Sequence, residues 1–336
     1  LRQLPFFLGV KRTMERAIDE WKPDVVCTID YPGLNLKLAA YAKARGIRAI
    51  HVVCPQVWAW KQGRIPKIEA ALDHLCCFFP FEPKLFKPGF ATFVAHPLLA
   101  DFAADQSAKA AKGPSVGQGG RQLVALLPGS RRGEIERILP ILLAAVPLIE
   151  NARFVIPAAN ESVRHLIDTL VRKVSCESEV ETQLGGARQL LCQADCAAVA
   201  SGTATLEAAI DRARNVAAVK NASRYSQHLY GVYRVSAALA AFARRVIRGT
   251  KYIGLANVIW DRCVEKGTDA LTSQSPMPEL LQENFTAPHV AECLNRWLRD
   301  SSARATAKAQ LALTVNALRT EGESPFAAIV RILLGT

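Results

Sequence analysis

The sequence lacks several patterns by which protein classes are recognised. None of its nine cysteines forms a CxxC pair. The spacings of Cys76 to Cys77 and of Cys192 to Cys196 are not those of zinc ligands, so we predict buried reduced thiols and no metal site. There is no apolar run of the roughly 18–20 residues needed to cross a bilayer. Charges throughout Leu1–Glu20 argue against a secretory signal peptide.

Two common phosphate-binding signatures are also absent. The chain has no Gly-Lys-Ser/Thr triplet of the Walker type, which disfavours phosphoryl transfer. It has no G-x-G-x-x-G run, which disfavours a bound dinucleotide. We therefore expect no cofactor.

Acidic residues are too few to balance the basic ones. The 336 residues carry a formal net charge of +12, so we expect an anionic partner. The arginines are dispersed and accompany no nucleic-acid-binding motif, so a membrane surface or phosphorylated ligands are favoured over nucleic acid. With 50% hydrophobic and 21% charged residues, the chain is predicted to be globular and long enough for two domains.

The most informative segment that is present is Leu123–Pro140. An apolar strand-like run, Leu123–Leu127, meets the turn Pro128-Gly129-Ser130, then Arg131 and Arg132, and then a helical pattern. The first N–H groups of such a helix are unpaired and favour an anion, with which an arginine can pair bidentately. The segment predicts a phosphate site.

A second turn of the same kind follows about seventy residues later. Ser201-Gly202-Thr203 interrupts the strand-like run Cys196–Ala200 and precedes a helical pattern. Together the two turns would bracket a diphosphate. The alternative is that both are ordinary strand-to-helix turns, whose glycines merely permit tight geometry.

Strand and helix signals alternate along the chain, which predicts an α/β protein with parallel sheets. The order favours two Rossmann-like domains facing one cleft, with ligands at the strand C-termini. We assign residues 1–105 to an N-terminal domain, 106–120 to a linker, 121–322 to a C-terminal domain and 323–336 to a helix packing back on the first domain. The predicted strands are 25–29, 47–53, 74–79, 92–95, 123–127, 153–156, 196–200 and 215–219.

The segment Tyr230–Tyr252 combines apolar residues at helical spacing with several basic residues. Such a basic amphipathic helix can lie on an anionic bilayer. A surface helix that docks on its own domain has the same pattern.

The run Pro55–Arg64, PQVWAWKQGR, closely resembles the PSVWAWRQGR run of lipid-A-disaccharide synthases. Further matches to that family extend over nearly the whole chain. They are Lys22–Val25 with Asp30 and Asn35, Phe79–Glu82, His96–Leu98, Leu127–Arg131 with Glu134, Ala200–Ala208, Lys251–Ile253 and Pro278–Gln282.

The resemblance implies a GT-B glycosyltransferase at the inner face of a Gram-negative cytoplasmic membrane, bound there peripherally. It implies transfer from UDP-2,3-diacylglucosamine to 2,3-diacylglucosamine 1-phosphate, giving a β-1,6-linked disaccharide 1-phosphate and UDP. The family needs no active-site metal, which agrees with the absence of a DxD pair here. A homodimer is also implied. The alternatives are another GT-B UDP-sugar enzyme, such as a peptidoglycan-pathway transferase or an epimerase, or a catalytically silent UDP-binding fragment.

The resemblance also implies roles for individual residues. Asp30 resembles the general base for the acceptor hydroxyl; its alternative role is to cap the following turn. Glu207 would accept from the ribose hydroxyls, or else be only a solvated helix residue. The other UDP-sugar residues implied are Gly129, Ser130, Arg131, Ser201, Gly202, Thr203 and Asn257, with Arg131 also stabilising the leaving group.

Four residues are assigned to the acceptor side of the cleft: Asn35, Trp58, Trp60 and His96. We interpret the two tryptophans as organising the wall of the cleft rather than stacking on a sugar. His96 would either touch substrate or make a structural hydrogen bond. Relative to the family pattern, Gly33 replaces an aspartate. If the chain begins at Leu1, without the family's opening strand and glycine-rich loop, we expect an incomplete acceptor site.

Overall fold

A computed structural model describes residues 4–59, 62–99, 120–174, 180–200, 206, 209, 216–220, 252, 254–266, 274–281, 284–320 and 322–336. The chain divides into two compact units. Unit 1 comprises Leu1–Asp101 and Leu318–Thr336, and unit 2 comprises Phe102–Ala317. Among the described helices, none is both long and apolar enough to traverse a bilayer.

Unit 1 contains a four-stranded parallel sheet in the order β1-β2-β3-β4. Apolar and β-branched residues dominate the strands. β2 and β3 are largely buried, whereas Cys27 and Ile29 of β1 are exposed. The elements are α1 (Leu4–Trp21), β1 (Val25–Ile29), α2 (Pro32–Lys43), β2 (Arg48–Val52), α3 (Ile65–Ala71), β3 (His74–Cys77) and β4 (Ala91–Phe93).

The last helix of the chain belongs to unit 1. Ser324 caps its first turn by accepting a hydrogen bond from the Ala327 amide, and the helix runs over Pro325–Leu334. Ala328 and Ile332 pack against one face of the sheet, at Ile50, Val52, Cys76 and Val94. These contacts cover the apolar face of β2 and β3.

Unit 2 contains a six-stranded parallel sheet in the order β10-β9-β8-β5-β6-β7. Its strands are β5 (Gln122–Leu127), β6 (Ala152–Ala158), β7 (Val180–Leu184), β8 (Cys196–Ala200), β9 (Val216–Lys220) and β10 (Glu279–Leu281). Its helices are α4 (Arg132–Ala145), α5 (Glu161–Lys173), α6 (Ala187–Gln193), α7 (Leu255–Cys263), α8 (Ala287–Arg299) and α9 (Ser301–Asn316); α10 is the Pro325–Leu334 helix of unit 1.

The strand order of this sheet reverses between β5 and β8. From β5 the chain proceeds outward through β6 to β7, whereas β8, β9 and β10 proceed outward in the opposite direction. Open α/β sheets bind ligands at such a switch point, beyond the carboxyl ends of the strands. The carboxyl ends of β5 and β8, at Leu127 and Ala200, are therefore the expected place for a ligand.

All eight predicted strands are present, with bounds that differ by at most two residues. Two short strands, β7 and β10, were not predicted, because neither VETQL nor ELL forms an apolar run of typical strand length. Helix α4 ends at Ala145, since Pro147 cannot continue its hydrogen bonding. The predicted linker up to residue 119 and the segment 230–251 lie outside the described residues.

Candidate active site

The turn after β5 has a conformation that requires glycine. Gly129 has φ +106°, a backbone region that side chains rarely adopt. A Cβ at this position would lie 2.7 Å from Oε2 and 3.0 Å from Cβ of Glu134. The side chain of Glu134, from the first turn of α4, therefore lies directly against the turn.

Gly129→Ala is expected to distort this turn and to weaken UDP binding at least tenfold, because both the positive φ and the contact with Glu134 oppose a methyl group. Isothermal titration with UDP measures the effect. Gly133→Ala is the matched control, since the nearest atom to its Cβ would be the mobile end of Arg137 at 3.8 Å. Equal affinities for the two variants would contradict the structural requirement for Gly129.

The two arginines after the turn have different surroundings. Arg131 is the N-cap of α4, and its Nη1 lies 3.2 Å from Oε1 of Glu134, the residue that lies against Gly129. Arg132 Nε pairs instead with Glu136, one turn along the helix, at 2.8 Å. Both side chains are about 80% exposed, at 83% and 80%. Arg131 is therefore the arginine held beside the turn.

The N-terminus of α4 and the Arg131 guanidinium lie beside the same turn, together with the Glu134 carboxylate that pairs with Arg131. The first amides of a helix have no carbonyl partner within it, and its dipole favours negative charge there. Ser130 is exposed between them. This arrangement is suited to a phosphate or diphosphate group.

The strand that precedes the second predicted turn lies next to β5. Leu127 is in register with Val199, and the described part of β8 ends one residue later, at Ala200. The carboxyl ends of β5 and β8 therefore lie together at the switch point. The residues predicted to bind there from the second turn, Ser201, Gly202, Thr203 and Glu207, lie outside the described residues.

Asn257 is buried and its amide is used inside unit 2. Its Nδ2 donates to the Met277 carbonyl at 2.7 Å and to Oε1 of Glu279 at 2.9 Å, while Oδ1 accepts from the Met277 amide at 3.2 Å. Glu279 Oε1 also accepts from the Gly254 amide at 3.0 Å. Asn257 therefore connects helix α7 to β10 and to the residues just before it.

In unit 1, Asp30 follows directly on β1 and its side chain is exposed. Asp30 and Tyr31 have φ +49° and +43°, which is unfavourable for both residues. Nδ2 of Asn35 donates to the carbonyls of Ile29 (2.9 Å) and Asp30 (2.7 Å), and so fixes the turn. The N-cap of α2 is Tyr31, without a side-chain capping bond, which does not favour the alternative role of Asp30 as a cap.

His51 lies buried on β2, beside β1. Its Nδ1 is 2.8 Å from Oγ1 of Thr28. Burial lowers the pKa of His51 to about 4, although the negative charge of Asp30 and a hydrogen bond at Thr28 act in the opposite direction. The imidazole is therefore neutral at neutral pH, and the Asp30 carboxylate lies close enough to affect it.

This pKa predicts a pH-dependent loss of stability. Between pH 6.5, the ordinary pKa of histidine, and about pH 4, the unfolded chain binds a proton at His51 and the folded chain does not. The contribution of His51 to the free energy of unfolding is therefore complete above pH 6.5 and is lost as the pH falls toward about 4. Over this range the free energy of unfolding should fall by about 1.4 kcal/mol per pH unit more in the native chain than in His51→Gln. Urea titrations at several pH values measure it, with the exposed His165→Gln as control. Parallel curves for native chain and His51→Gln would refute the assignment.

Trp58, within the run Pro55–Arg64, lies beside the buried carboxyl group of Glu82. Trp58 is 6% exposed and packs edge to face on Phe81 with ring centroids 5.6 Å apart. Burial raises the pKa of Glu82 to about 8, opposed by hydrogen bonds from the Phe79 and Phe78 amides, the Trp58 side chain and the Cys54 thiol. Trp58 is thus part of the interior of unit 1, and Trp60 lies outside the described residues.

His96 is only partly buried, after β4. Its ring packs against Phe79 and Phe78, with centroids 5.8 and 5.3 Å apart, and its Nδ1 accepts from the Leu98 amide at 3.3 Å. Burial lowers the pKa of His96 to about 4. Since Nδ1 is an acceptor, the neutral ring carries its proton on Nε2, which is a donor.

Comparison with known proteins places this geometry in a family. Residues 1–328 match the profile of the family described as lipid-A-disaccharide synthetase. The chain belongs to the lipid-A-disaccharide synthetase family. The lipid-A-disaccharide synthase of Burkholderia mallei is 35% identical over 311 residues, which are 90% of this chain and 73% of the relative. That of Chromobacterium violaceum is 31% identical over 312 residues, 91% of this chain and 74% of the relative.

Solved structures of low sequence identity show the same fold. The UDP-GlcNAc 2-epimerase of Neisseria meningitidis bound to UDP-GlcNAc superposes with a TM-score of 0.57 at 12% identity, covering 98% of this chain and 81% of that one. The calicheamicin glycosyltransferase CalG4 gives 0.53 at 14% identity, covering 98% and 80%. They confirm the predicted GT-B fold. As a family member, this chain is a glycosyltransferase of lipid A biosynthesis, a hexosyltransferase.

Sequence analysis missed three sets of interacting polar residues in this family member. They are His51 beside Asp30, the pair Asn257 and Glu279, and a buried group formed by Cys54, Cys77 and Glu82. Each joins residues that are distant along the chain, and a linear spacing carries no such signal. The match of Phe79–Glu82 to the family was the one pointer to Glu82.

Proposed function

We propose that this chain condenses UDP-2,3-diacylglucosamine with 2,3-diacylglucosamine 1-phosphate to give the β-1,6-linked disaccharide 1-phosphate and UDP. Membership of the family supports the reaction. The observation that carries the proposal in this chain is the glycine turn at the switch point of the six-stranded sheet, with Arg131 beside it. In this proposal unit 2 binds the UDP-sugar and unit 1 binds the acceptor.

The diphosphate would bind at the turn that follows β5. The amides of Ser130 and of the first turn of α4 would donate to its oxygens, and the Arg131 guanidinium would pair with the charge that develops as UDP leaves. Ser201, Gly202 and Thr203 would add donors from the neighbouring strand, and Glu207 would accept from the ribose. The Arg131 guanidinium and the helix N-terminus would thus neutralise the leaving group without a metal ion.

Asp30 would act as the general base. The acceptor 6-hydroxyl oxygen attacks C1 of the donor sugar, the bond from C1 to the diphosphate oxygen breaks, and the hydroxyl proton passes to the Asp30 carboxylate. The exposure of Asp30 and the hydrogen bonds from Asn35 that fix its turn support this role. Asn35 would position the turn that carries Asp30, and Asn257 would position the segment of Met277 and Glu279. His96 would offer Nε2–H to the acceptor.

The acceptor is a lipid, and we propose that the protein acts on it peripherally at the inner face of the cytoplasmic membrane. The net charge of +12 supports attraction to anionic lipid. Exposed apolar residues on α1, such as Phe6 (67%), support insertion into the lipid surface. We expect sedimentation with anionic vesicles that weakens as salt is raised. Sedimentation that is unchanged at high salt would contradict the electrostatic part.

We also propose that the chain forms a homodimer, as the family resemblance implies.

The reaction is tested by incubating the purified chain with both substrates and resolving the lipids and nucleotides. Disaccharide 1-phosphate and UDP in equal amounts would support the proposal. UDP binding without any product would instead favour a silent UDP-binding protein. Conversion of a UDP-sugar to its epimer, without transfer, would favour an epimerase.

A further inference from the structure

Three side chains with metal-binding atoms meet inside unit 1. They are Cys54, Cys77 and Glu82, called here the thiol–carboxylate cluster. Both sulfurs and a carboxylate oxygen lie within 4.8 Å of one another. All three residues are buried, with exposed fractions of 4%, 0% and 2%. The cluster involves no residue of the proposed reaction.

The topology explains why these residues converge. β2 and β3 are parallel neighbours, with Val52 in register with Cys76. Cys54 lies two residues beyond Val52 and Cys77 is the last residue of β3, so both thiols lie at the same edge of the sheet. The chain then turns back, and Glu82 Oε2 accepts from the Phe79 amide at 3.1 Å.

We propose that Cys54, Cys77 and Glu82 form a zinc-binding site, contrary to the expectation of no metal site that the cysteine spacing gave. Two sulfur ligands and one oxygen ligand are a donor set that suits zinc and does not suit magnesium or calcium. With Zn–S of about 2.3 Å and Zn–O of about 2.1 Å, ligand atoms around a tetrahedral zinc are about 3.5–3.8 Å apart. Separations of up to 4.8 Å would need to contract by up to about 1.3 Å.

The surroundings fit this ligand role. The Glu82 carboxylate accepts from the Phe79 and Phe78 amides, the Trp58 side chain and the Cys54 thiol. Zinc would take the position of the Cys54 proton, and the other three donors would fix the orientation of the carboxylate. Binding of Zn²⁺ to the two thiolates and the carboxylate releases to solvent the protons that these three groups carry, and no electron is transferred. Three protein ligands leave a fourth position for water.

Zinc at this position would join two segments of unit 1. Cys54 directly precedes the segment that carries Trp58, and Glu82 follows Phe81, on which Trp58 packs. The metal would therefore hold the segment around Trp58 against the Phe79–Glu82 turn. This role goes beyond the proposed transfer reaction, and its test does not depend on activity.

The test is zinc stoichiometry of the purified full chain, measured by mass spectrometry after loading with zinc and passage over a chelating resin. We expect one zinc per chain in the native protein. Cys54→Ala, Cys77→Ala and Glu82→Gln should each lower the zinc retained per chain at least tenfold. Cys76→Ala is the matched control, since Cys76 is equally buried but packs on the other face of the sheet, with Ile50 and Val94.

Zinc-edge X-ray absorption of the loaded native chain is the second measurement, and it needs no variant to fold. Two sulfur ligands with one or two oxygen ligands would support the site. No retained zinc, zinc with only nitrogen and oxygen ligands, or equal loss in Cys76→Ala and Cys77→Ala would overturn it. Each of these outcomes is independent of whether disaccharide is formed.

Discussion

Asp30→Asn is expected to lower the kcat of disaccharide formation by about 10²–10⁴-fold, the usual contribution of a positioned general base. The amide cannot accept the proton of the acceptor hydroxyl, yet it has nearly the same shape. The turn is fixed by Asn35 through backbone carbonyls, so it should be preserved. UDP affinity should be unchanged, because Asp30 belongs to unit 1. Steady-state kinetics with both substrates, together with UDP titration, measure the two effects.

Asp24→Asn is the matched control for this prediction. Asp24 is also exposed and immediately precedes the same strand, so it lies at the opposite end of β1. It should retain the native kcat. A kcat for Asp30→Asn within threefold of that for Asp24→Asn would show that Asp30 is not the base.

Arg131→Ala is the second substitution with a large expected effect, a loss of about 10²–10³ in kcat/KM, or roughly 3–4 kcal/mol of transition-state stabilisation. The guanidinium is held beside the turn by Glu134, where it would meet the charge of the departing diphosphate. Arg131→Lys should recover only part of the rate, because an ammonium group cannot pair bidentately. The measurement is kcat/KM for the UDP-sugar at saturating acceptor.

Arg132→Ala provides a close comparison. The two arginines are adjacent and almost equally exposed, but Arg132 pairs along the helix with Glu136. We expect less than a threefold change in kcat/KM. Equal losses for the two variants would mean that general positive charge near α4 matters, and not the specific position of Arg131.

Much of the architecture could be predicted from the sequence, because parallel strands are buried and read as apolar runs. Cys196–Ala200 and Val25–Ile29 were predicted to the residue. The order of strands in the sheet could not be read in this way. The adjacency of β5 and β8, which places the carboxyl ends of these two strands at one edge, depends on pairing between residues about 70 positions apart.

The site residues could be predicted from the sequence only where a local motif identifies them. The requirement for glycine at position 129 follows from a turn between a strand and a helix, and the structure adds the contact with Glu134. The role of Asn257 could not be predicted, since its partners Met277 and Glu279 follow about twenty residues later in a polar segment. The left-handed turn at Asp30 and Tyr31 had no signal either, because glycine occupies neither position.

The central claim is that the UDP diphosphate binds at the N-terminus of α4, and a crystal structure of the chain with UDP tests it most directly. The account predicts diphosphate oxygens within about 3 Å of the Ser130 or Arg131 amide and of the Arg131 guanidinium. UDP bound with its diphosphate away from the Gly129 turn, and with the Arg131–Glu134 pair undisturbed and distant from it, would contradict the account.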